Sequence, residues 1–209
     1  MDRVPNVVIL RPVQKKYDEA YFDRWYRGRA KIGPREVVQR KVAMAVGVTE
    51  YLLRRPIRNA IDIGCGEAPW FDHLSGLRPR VRYAGYDPSD YILSTFGRSH
   101  NVRRGSFSEL PSLGIRERFD LVVCADVLHY VSEGDIRRGL PTLVRLIRGA
   151  AYLEILTGRD NIFGDMVGMY RRPPVWYRDL FASAKLVRIA PFMWTTQRIA
   201  NGLAALERP

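Results

Sequence analysis

The stretch that most constrains the fold is an apolar run over residues 57–63, followed directly by a Gly-x-Gly turn at residues 64–66. A short apolar run bounded by turn residues is typical of a buried parallel strand. Glycine lets the backbone turn sharply and lets a ligand approach closely, and a helix that begins just beyond would offer free N–H groups. The stretch therefore predicts a strand, turn and helix that bind a nucleotide-like ligand.

Two common nucleotide sites do not fit the residues after this turn. A dinucleotide site needs a third glycine where this chain has Pro69, and a phosphate loop needs a Gly-Lys-Ser/Thr ending, which is absent. A lone Gly-x-Gly can also be an ordinary tight turn. A second signal is therefore needed to assign the site.

That signal is Asp87, which ends the next predicted strand, residues 81–87, about 20 residues after Gly64. A carboxylate at the end of the second strand of such a unit can accept hydrogen bonds from both hydroxyls of a ribose. Asp87 can also cap a helix or start a turn, because Pro88-Ser89-Asp90 follows. The two roles are compatible, and the ribose contact is predicted.

Strand and helix patterns alternate along the chain. Strands are predicted at residues 57–63, 81–87, 101–104, 119–125, 150–156 and 186–189, with a seventh in the tail, and helices at 35–54, 70–77, 89–96, 133–148 and 174–184. Gly149 is predicted to end the fourth of these helices. The alternation predicts an α/β fold with a mostly parallel sheet covered on both faces. Ligands bind at the carboxyl ends of such strands.

The N-terminal part is predicted to be an arm and a helical cap. Residues 17–29 carry aromatic side chains at helical spacing, which predicts a helix that packs on the core and can also serve as a lid. Residues 1–56 are therefore the arm and lid, and residues 57–209 the ligand-binding domain, together forming one structural domain.

Composition bounds the partners and the location. The chain has 209 residues, of which 46% are hydrophobic and 27% charged, which favours one globular domain. It contains only two cysteines, which favours a reducing, cytoplasmic location. The sequence contains no run of 18 apolar residues, so no membrane span is predicted. The net charge of +12 comes mostly from scattered arginines, so a nucleic-acid partner is compatible with the charge but is not favoured.

The residues around the turn resemble a known family. Asp62 to Glu67 resemble motif I of the class I S-adenosylmethionine (SAM) methyltransferases, and residues 119–130 resemble motif IV. Residues 21–26 and 152–157 also look like a bacterial subgroup of these enzymes. The resemblance covers most of residues 57–156. It implies a seven-stranded Rossmann-like fold, SAM as cofactor and S-adenosylhomocysteine (SAH) as product.

The resemblance also implies site residues. The glycine turn would pass the methionine and ribose parts of SAM, the loop after the fourth strand would touch the methionine end, and residues 104–111 would bind adenine. Ser106 lacks the charge that the family often has at that position, so the adenine contact would depend more on Phe107 and the backbone. Tyr21, Arg24 and Tyr26 could close over the carboxylate of SAM. The predicted cofactor-binding residues are Tyr21, Asp62, Gly64, Cys65, Gly66, Asp87, Pro88, Ser106, Phe107 and Asp126.

Two polar residues near the ends of predicted strands are candidates for chemistry. His129 follows the fourth strand and is the predicted catalytic base for a hydroxyl acceptor; the alternative is that it packs there and orients the loop. Glu154 lies in an apolar strand, so it should be paired with an arginine of the lid or face a substrate amine. The three histidines have no metal-ligand spacing, so no metal is predicted.

The acceptor is only partly constrained. The loop after the fourth strand lacks the Asp/Asn-Pro-Pro-Tyr/Phe motif of base-amine methylation, and Cys124 lies inside a strand, where a thiol is unreactive. The predicted function is methyl transfer from SAM to an O or N atom of a small molecule. The alternatives are an RNA or protein methyltransferase that docks through its basic surface, and a non-catalytic partner protein with this fold. The oligomeric state is not predicted.

Overall fold

The computed structural model describes residues 15–27 and 34–208, so most of the predicted arm lies outside the described residues. Seven strands form one sheet: β1 (Asn59–Ile63), β2 (Arg82–Asp87), β3 (Val102–Arg104), β4 (Phe119–Ala125), β5 (Ile147–Glu154), β6 (Leu186–Ala190) and β7 (Met193–Thr196). Their order is β3-β2-β1-β4-β5-β7-β6. The first five strands are parallel, and β7 is antiparallel to both of its neighbours. The predicted seven-stranded, mostly parallel sheet is confirmed.

Helices cover both faces of the sheet. They are α1 (Glu19–Phe22), α2 (Arg35–Leu53), α3 (Pro69–Leu77), α4 (Asp90–Phe96), α5 (Glu133–Leu146), α6 (Pro174–Ser183) and α7 (Gln197–Ala200). A π-helical turn, Asp23–Arg27, continues α1, and residues 128–130 form a 3-10 turn after β4. In the described part of the chain, no helix is long and apolar enough to cross a membrane.

The core consists of two apolar clusters, one on each face. One cluster packs buried residues of α5 and α6 against the sheet, and the other packs buried residues of α2 and α3. In α2 the buried positions Val42, Ala45, Val46 and Thr49 follow the helical period, which is why this helix lies flat on the strands. Helix α2 also places Lys41, one position from this stripe, near the carboxyl end of β5.

One predicted boundary is wrong. Helix α5 ends at Leu146, and β5 begins directly afterwards at Ile147, so Gly149 lies inside the strand and does not end the helix. A Cβ atom at Gly149 would lie 2.6 Å from the backbone oxygen of Asp120 and 3.0 Å from Thr49 Cγ2. The glycine is therefore explained by close packing of β5 against β4 and α2.

The strand order creates the cleft that positions the site. β1 pairs with β2 on one side and with β4 on the other, so the loops after β1 and β4 leave the sheet in different directions. A crevice forms outside the carboxyl ends of strands at such a switch point. The glycine turn after β1, Asp87 at the end of β2, and Asp126 after β4 all lie at this edge.

Candidate cofactor and acceptor site

The glycine turn after β1 has a conformation that glycine alone adopts easily. Gly64 and Gly66 have φ angles of +73° and +54°. A Cβ atom at Gly64 would lie 2.4 Å from Cγ2 of Val127, in the loop after β4. The N–H groups of Gly64 and Cys65 donate to the backbone oxygen of Tyr86 at 2.7 and 3.1 Å. The turn is thus held against the end of β2, and the absence of a side chain at Gly64 lets the loop after β4 pack closely against it.

Asp87 ties the glycine turn to the end of β2. Its side chain is almost fully buried, and its two carboxylate oxygens accept from the N–H groups of Gly66 and Ser89, both at 2.9 Å. Burial raises the pKa of Asp87, and the two N–H donors oppose that shift. The cap of α4 is Ser89, whose hydroxyl accepts from the Ile92 N–H. Each carboxylate oxygen of Asp87 retains a lone pair for a further donor.

Two cavities meet at the glycine turn. Cavity A, of about 240 Å³, lies on the Asp87 side, and cavity B, of about 340 Å³, lies between α2, α3 and the end of β5. Both are lined by Tyr26, Gly64, Gly66, Ala125 and Asp126, so they are two ends of one cleft. All ten predicted cofactor-binding residues line one or both cavities; that they contact the cofactor remains a prediction.

Cavity A is closed over by the N-terminal segment. Tyr17, Tyr21 and Tyr26 line it together with Tyr130. Lys15 forms an ion pair with Asp165, and its Nζ lies 3.8 Å from the centre of the Tyr130 ring. Residues 15–27 therefore lie across the cleft, as expected for a lid.

Arg24 does not lie with the tyrosines of the predicted lid. Its side chain is exposed and stacks on Trp25, with the guanidinium carbon 4.9 Å from the ring centre. It lines neither cavity. The predicted grouping of Arg24 with Tyr21 and Tyr26 is wrong, because the π-helical turn places Tyr26 inward and Arg24 outward.

The predicted adenine-binding segment folds around a carboxylate. The Ser106 hydroxyl and the Ser106 N–H both donate to Glu109 Oε2, at 2.7 and 2.9 Å. Glu109 thus places a carboxylate beside Ser106, the position at which the resembled family often has an acidic residue. Phe107 is 1% exposed and belongs to the core as well as to the wall of cavity A. Phe107 is thus a rigid part of the pocket.

Cavity B contains a buried ion pair. Lys41 Nζ lies 2.6 and 2.8 Å from the two carboxylate oxygens of Glu154, and the Tyr152 hydroxyl donates to Glu154 at 3.1 Å. The ring of Trp70 packs on Tyr152 with centres 4.8 Å apart. The prediction that Glu154 is paired is confirmed, but its partner is a lysine of α2 and not an arginine of the lid.

Asp126 projects from a strained loop at the junction of the two cavities. It has a φ of +58°, and its N–H donates to the backbone oxygen of Glu154 at 3.0 Å. Its side chain is open to solvent through the cleft, although protein surrounds its other sides. Burial raises the pKa of Asp126 to about 7, with a further contribution from Glu154 that Lys41 opposes.

Asp62 is the most buried acid of the site. It is 2% exposed and accepts a hydrogen bond of 2.9 Å from the Tyr83 hydroxyl. Burial raises the pKa of Asp62 to about 7; the bond from Tyr83 opposes the shift, and the charge of Asp87 adds to it. Asp62 thus favours a cationic neighbour, which the protein does not supply among the described residues.

We expect the protein to lose stability as the pH rises from about 4 to 7, because Asp62 holds its proton more tightly when folded than when unfolded. The shift of its pKa to about 7 corresponds to roughly 4 kcal/mol. Asp62→Asn removes this cost and can still accept from Tyr83, so the variant should be more stable than wild type at pH 8. Thermal unfolding between pH 5 and 8 measures the difference.

The control for this comparison is Asp72→Asn, because Asp72 lines the same cavity with its side chain 60% exposed. It should leave the pH dependence unchanged. Asp126 contributes with the same sign, so the slope for Asp62→Asn should be reduced and not abolished. An unchanged slope in Asp62→Asn would contradict the burial argument.

His129 lies away from the cleft, which does not support its predicted role as the base. It is 1% exposed, lines neither cavity, and its Nδ1 accepts from the Leu156 N–H at 3.3 Å. Burial and then Lys15 lower the pKa of His129 to about 4. The 3-10 turn after β4 directs the imidazole into the core, so His129 has the geometry of a residue that orients the loop.

Sequence reasoning missed two residues of the cleft, Trp70 at the start of α3 and Lys41 on α2. A signal existed for Lys41, because it lies three positions after Val38 on the side of α2 that faces the strands. Within residues 15–27 and 34–208, no cluster of His, Cys, Asp and Glu could hold a metal ion.

Comparison with known proteins agrees with this geometry. Residues 61–153 match the family model described as a methyltransferase domain. A curated relative, "Nodulation protein S" of Rhizobium tropici, is 27% identical over 112 residues, which are 52% of this chain and 47% of the relative. The chain thus spans about half of that relative's length.

Solved structures share the fold at low identity. A SAM-dependent methyltransferase of Archaeoglobus fulgidus aligns with a TM-score of 0.59 at 16% identity, covering 74% of this chain and 70% of that one. The magnesium protoporphyrin IX methyltransferase of Synechocystis PCC 6803, solved with bound SAH, aligns with a TM-score of 0.60 at 16% identity, covering 81% and 86%. These structures show that the chain has the fold of these enzymes, and residues 61–153 match a methyltransferase domain.

Proposed function

We propose that the protein transfers a methyl group from SAM to an O or N atom of a small-molecule acceptor. The observation that carries the proposal is the buried Asp87 carboxylate, which joins the glycine turn to cavity A while keeping lone pairs free for ribose hydroxyls. This carboxylate, the glycine turn and the two cavities come from separate parts of the chain and meet at one sheet edge.

The residues of the cleft fit the cofactor. The glycine turn lines both cavities, with Gly64 packed against Val127, and the tyrosines of cavity A suit an aromatic base. Asp62 at the bottom of the cleft suits an ammonium group such as that of the methionine part. When bound, SAM supplies an activated methyl group on a sulfonium.

The chain's own contribution is alignment and exclusion of water. Residues 15–27 cover cavity A and are anchored by the ion pair between Lys15 and Asp165. A covered cleft holds donor and acceptor close together and keeps solvent away, which can supply much of the acceleration. We propose that this segment is the lid of the site.

A small acceptor suits this cleft better than a macromolecule. The space beyond the glycine turn is a cavity of about 340 Å³ between α2 and β5, and the Synechocystis enzyme with the same fold is named for a small-molecule substrate. Many basic side chains that could attract RNA are instead paired with acids, namely Arg27, Arg55, Arg78, Arg82, Arg104, Arg137, Arg138 and Arg148.

The proposal is tested with SAM that carries a labelled methyl group. We expect calorimetry to show binding of SAM and SAH, and label to enter small amines or alcohols of a metabolite extract at a rate that changes little with salt. Total RNA and total protein serve as competing acceptors. Label that enters only RNA, with activity falling steeply as salt rises, would support the RNA alternative. Binding of SAH without any turnover would support a non-catalytic role.

A further inference from the structure

We propose that the acceptor is an amine, bound as an ammonium ion in cavity B beside Asp126, which then takes its proton. This inference rests on the proposed methyltransferase function and names the substrate class of the same cleft. It also assigns Asp126 a catalytic role in addition to its predicted contact with the cofactor.

The first argument is the charge of the cavity. Lys41 and Glu154 neutralise each other at 2.6 and 2.8 Å, so neither offers a free charge to a ligand. Asp126 makes no side-chain hydrogen bond or ion pair with any other residue in the ranges 15–27 and 34–208. The ionised carboxylate of Asp126 therefore adds an unpaired negative charge to a cavity that Asp62 and Arg35 also line.

The second argument is the lining. Trp70 is 5% exposed and Tyr26 half-buried, and both line cavity B together with Asp126. Aromatic faces combined with a carboxylate are the environment that recognises an ammonium ion. Arg35 lies at the exposed start of α2 and forms the outer rim of the cavity. A neutral hydroxyl can donate a hydrogen bond to Asp126, but it lacks the positive charge that an ammonium ion adds to that bond.

The third argument is position. Asp126 is shared by both cavities and follows β4, so it lies where the bound cofactor and a molecule in cavity B would meet. The left-handed backbone at Asp126, held by its N–H bond to the Glu154 oxygen, directs the loop there. Residues in such sparsely populated conformations often occur at functional sites.

The proton balance of the step is simple. The carboxylate of Asp126 takes one proton from the ammonium and leaves a neutral amine with a free lone pair. That lone pair forms the new N–C bond while the C–S bond of the sulfonium breaks and its electron pair stays on sulfur. Asp126 then releases the proton to solvent through the open side of the cleft. The positive sulfonium also favours loss of the proton from the nearby ammonium.

The role of Asp126 should make amine binding depend on pH. The groups around it are Lys41 on α2, Glu154 and Tyr152 on β5, Cys124 on β4, Tyr130 on the 3-10 turn and Tyr26 on the π-helical turn. Burial raises the pKa values of the three tyrosines and of Cys124, so none of them ionises near neutral pH. Asp62, at the bottom of the same cavity, titrates in the same range as Asp126.

The test uses protein saturated with SAH and two probes of equal shape, benzylamine and benzyl alcohol. Nuclear magnetic resonance titration measures the affinity of each probe at pH 6 and pH 8. We expect wild type at pH 8 to bind benzylamine about tenfold or more tightly than benzyl alcohol. Asp126→Asn should remove most of that preference and reduce its pH dependence to the part that Asp62 contributes, because Asn tolerates the same backbone conformation without the charge.

Asp72→Asn is the matched control, since Asp72 lines the same cavity but is exposed at its rim. It should keep the preference. Equal binding of the two probes by wild type, or an unchanged preference in Asp126→Asn, would overturn the proposal. Benzylamine that displaces SAH would also overturn it, because the amine would then occupy the cofactor's own subsite. Failure of SAH to bind folded protein would instead reject the proposed function.

Discussion

Asp87→Ala is expected to weaken SAM binding about 30-fold or more, because the ribose would lose two hydrogen bonds to a charged acceptor, worth roughly 2–4 kcal/mol. The structure adds a second reason. The carboxylate also accepts from the N–H groups of Gly66 and Ser89, so its removal frees the glycine turn and the start of α4. Calorimetry with SAM and with SAH measures the loss.

Asp90→Ala is the control for this experiment. Asp90 lies three positions later, its side chain is 89% exposed, and it forms an ion pair with the exposed Arg104. It should change SAM affinity less than about twofold, since exposed ion pairs contribute little. Similar losses in the two variants would mean that a general effect of negative charge, and not the ribose contact, explains the result. Tight binding by Asp87→Ala would remove the main support for the proposed cofactor site.

Lys41→Met is expected to lower the free energy of unfolding by about 3 kcal/mol, because it leaves the carboxylate of Glu154 buried without its cation. The Glu154 side chain is 11% exposed, whereas that of Lys41 is 25% exposed, so the carboxylate is the more buried partner. Unfolding in urea measures the loss. The double variant Lys41→Met with Glu154→Gln should recover much of it, since no unpaired charge remains.

Arg137→Met tests the same chemistry at the surface. Arg137 and Glu133 form an ion pair one turn apart on α5, with side chains 57% and 52% exposed. Breaking this pair should cost less than about 1 kcal/mol. If Lys41→Met costs no more than Arg137→Met, then the pair in cavity B is solvated, and the charge argument for an amine acceptor loses its basis.

The fold could be predicted largely from local patterns. Strands β1 and β4 consist mainly of apolar residues, and the helices between them carry apolar residues at helical spacing, so element type and order follow from sequence patterns. The wrong boundary lies at residues 147–149, where helix passes into strand without a loop. The sequence there predicts that Gly149 ends the helix. In the structure a glycine is needed because a side chain would clash with the backbone oxygen of Asp120 on the neighbouring strand.

The cofactor end of the cleft was also accessible from the sequence. The glycine turn and Asp87 are local signals whose meeting point follows from the rule that ligands bind at the carboxyl ends of parallel strands. All ten predicted residues accordingly line one cleft. Most of their roles were inferred from the resemblance of the motifs to a known family, and contact of each residue with the cofactor stays a prediction.

The lining of cavity B, the proposed acceptor end of the cleft, was decided only by the tertiary structure. His129 follows β4 at a promising position, yet the 3-10 turn rotates its ring into the core, while Asp126 at the start of the same loop faces both cavities. The sequence alone determined the type and chain order of the strands and helices and the glycine turn, because these depend on local backbone preferences. The packing of α2 against β5 decides which titratable side chains face the cleft. It also brings Lys41, and not an arginine, to Glu154, although the two residues are far apart in the chain.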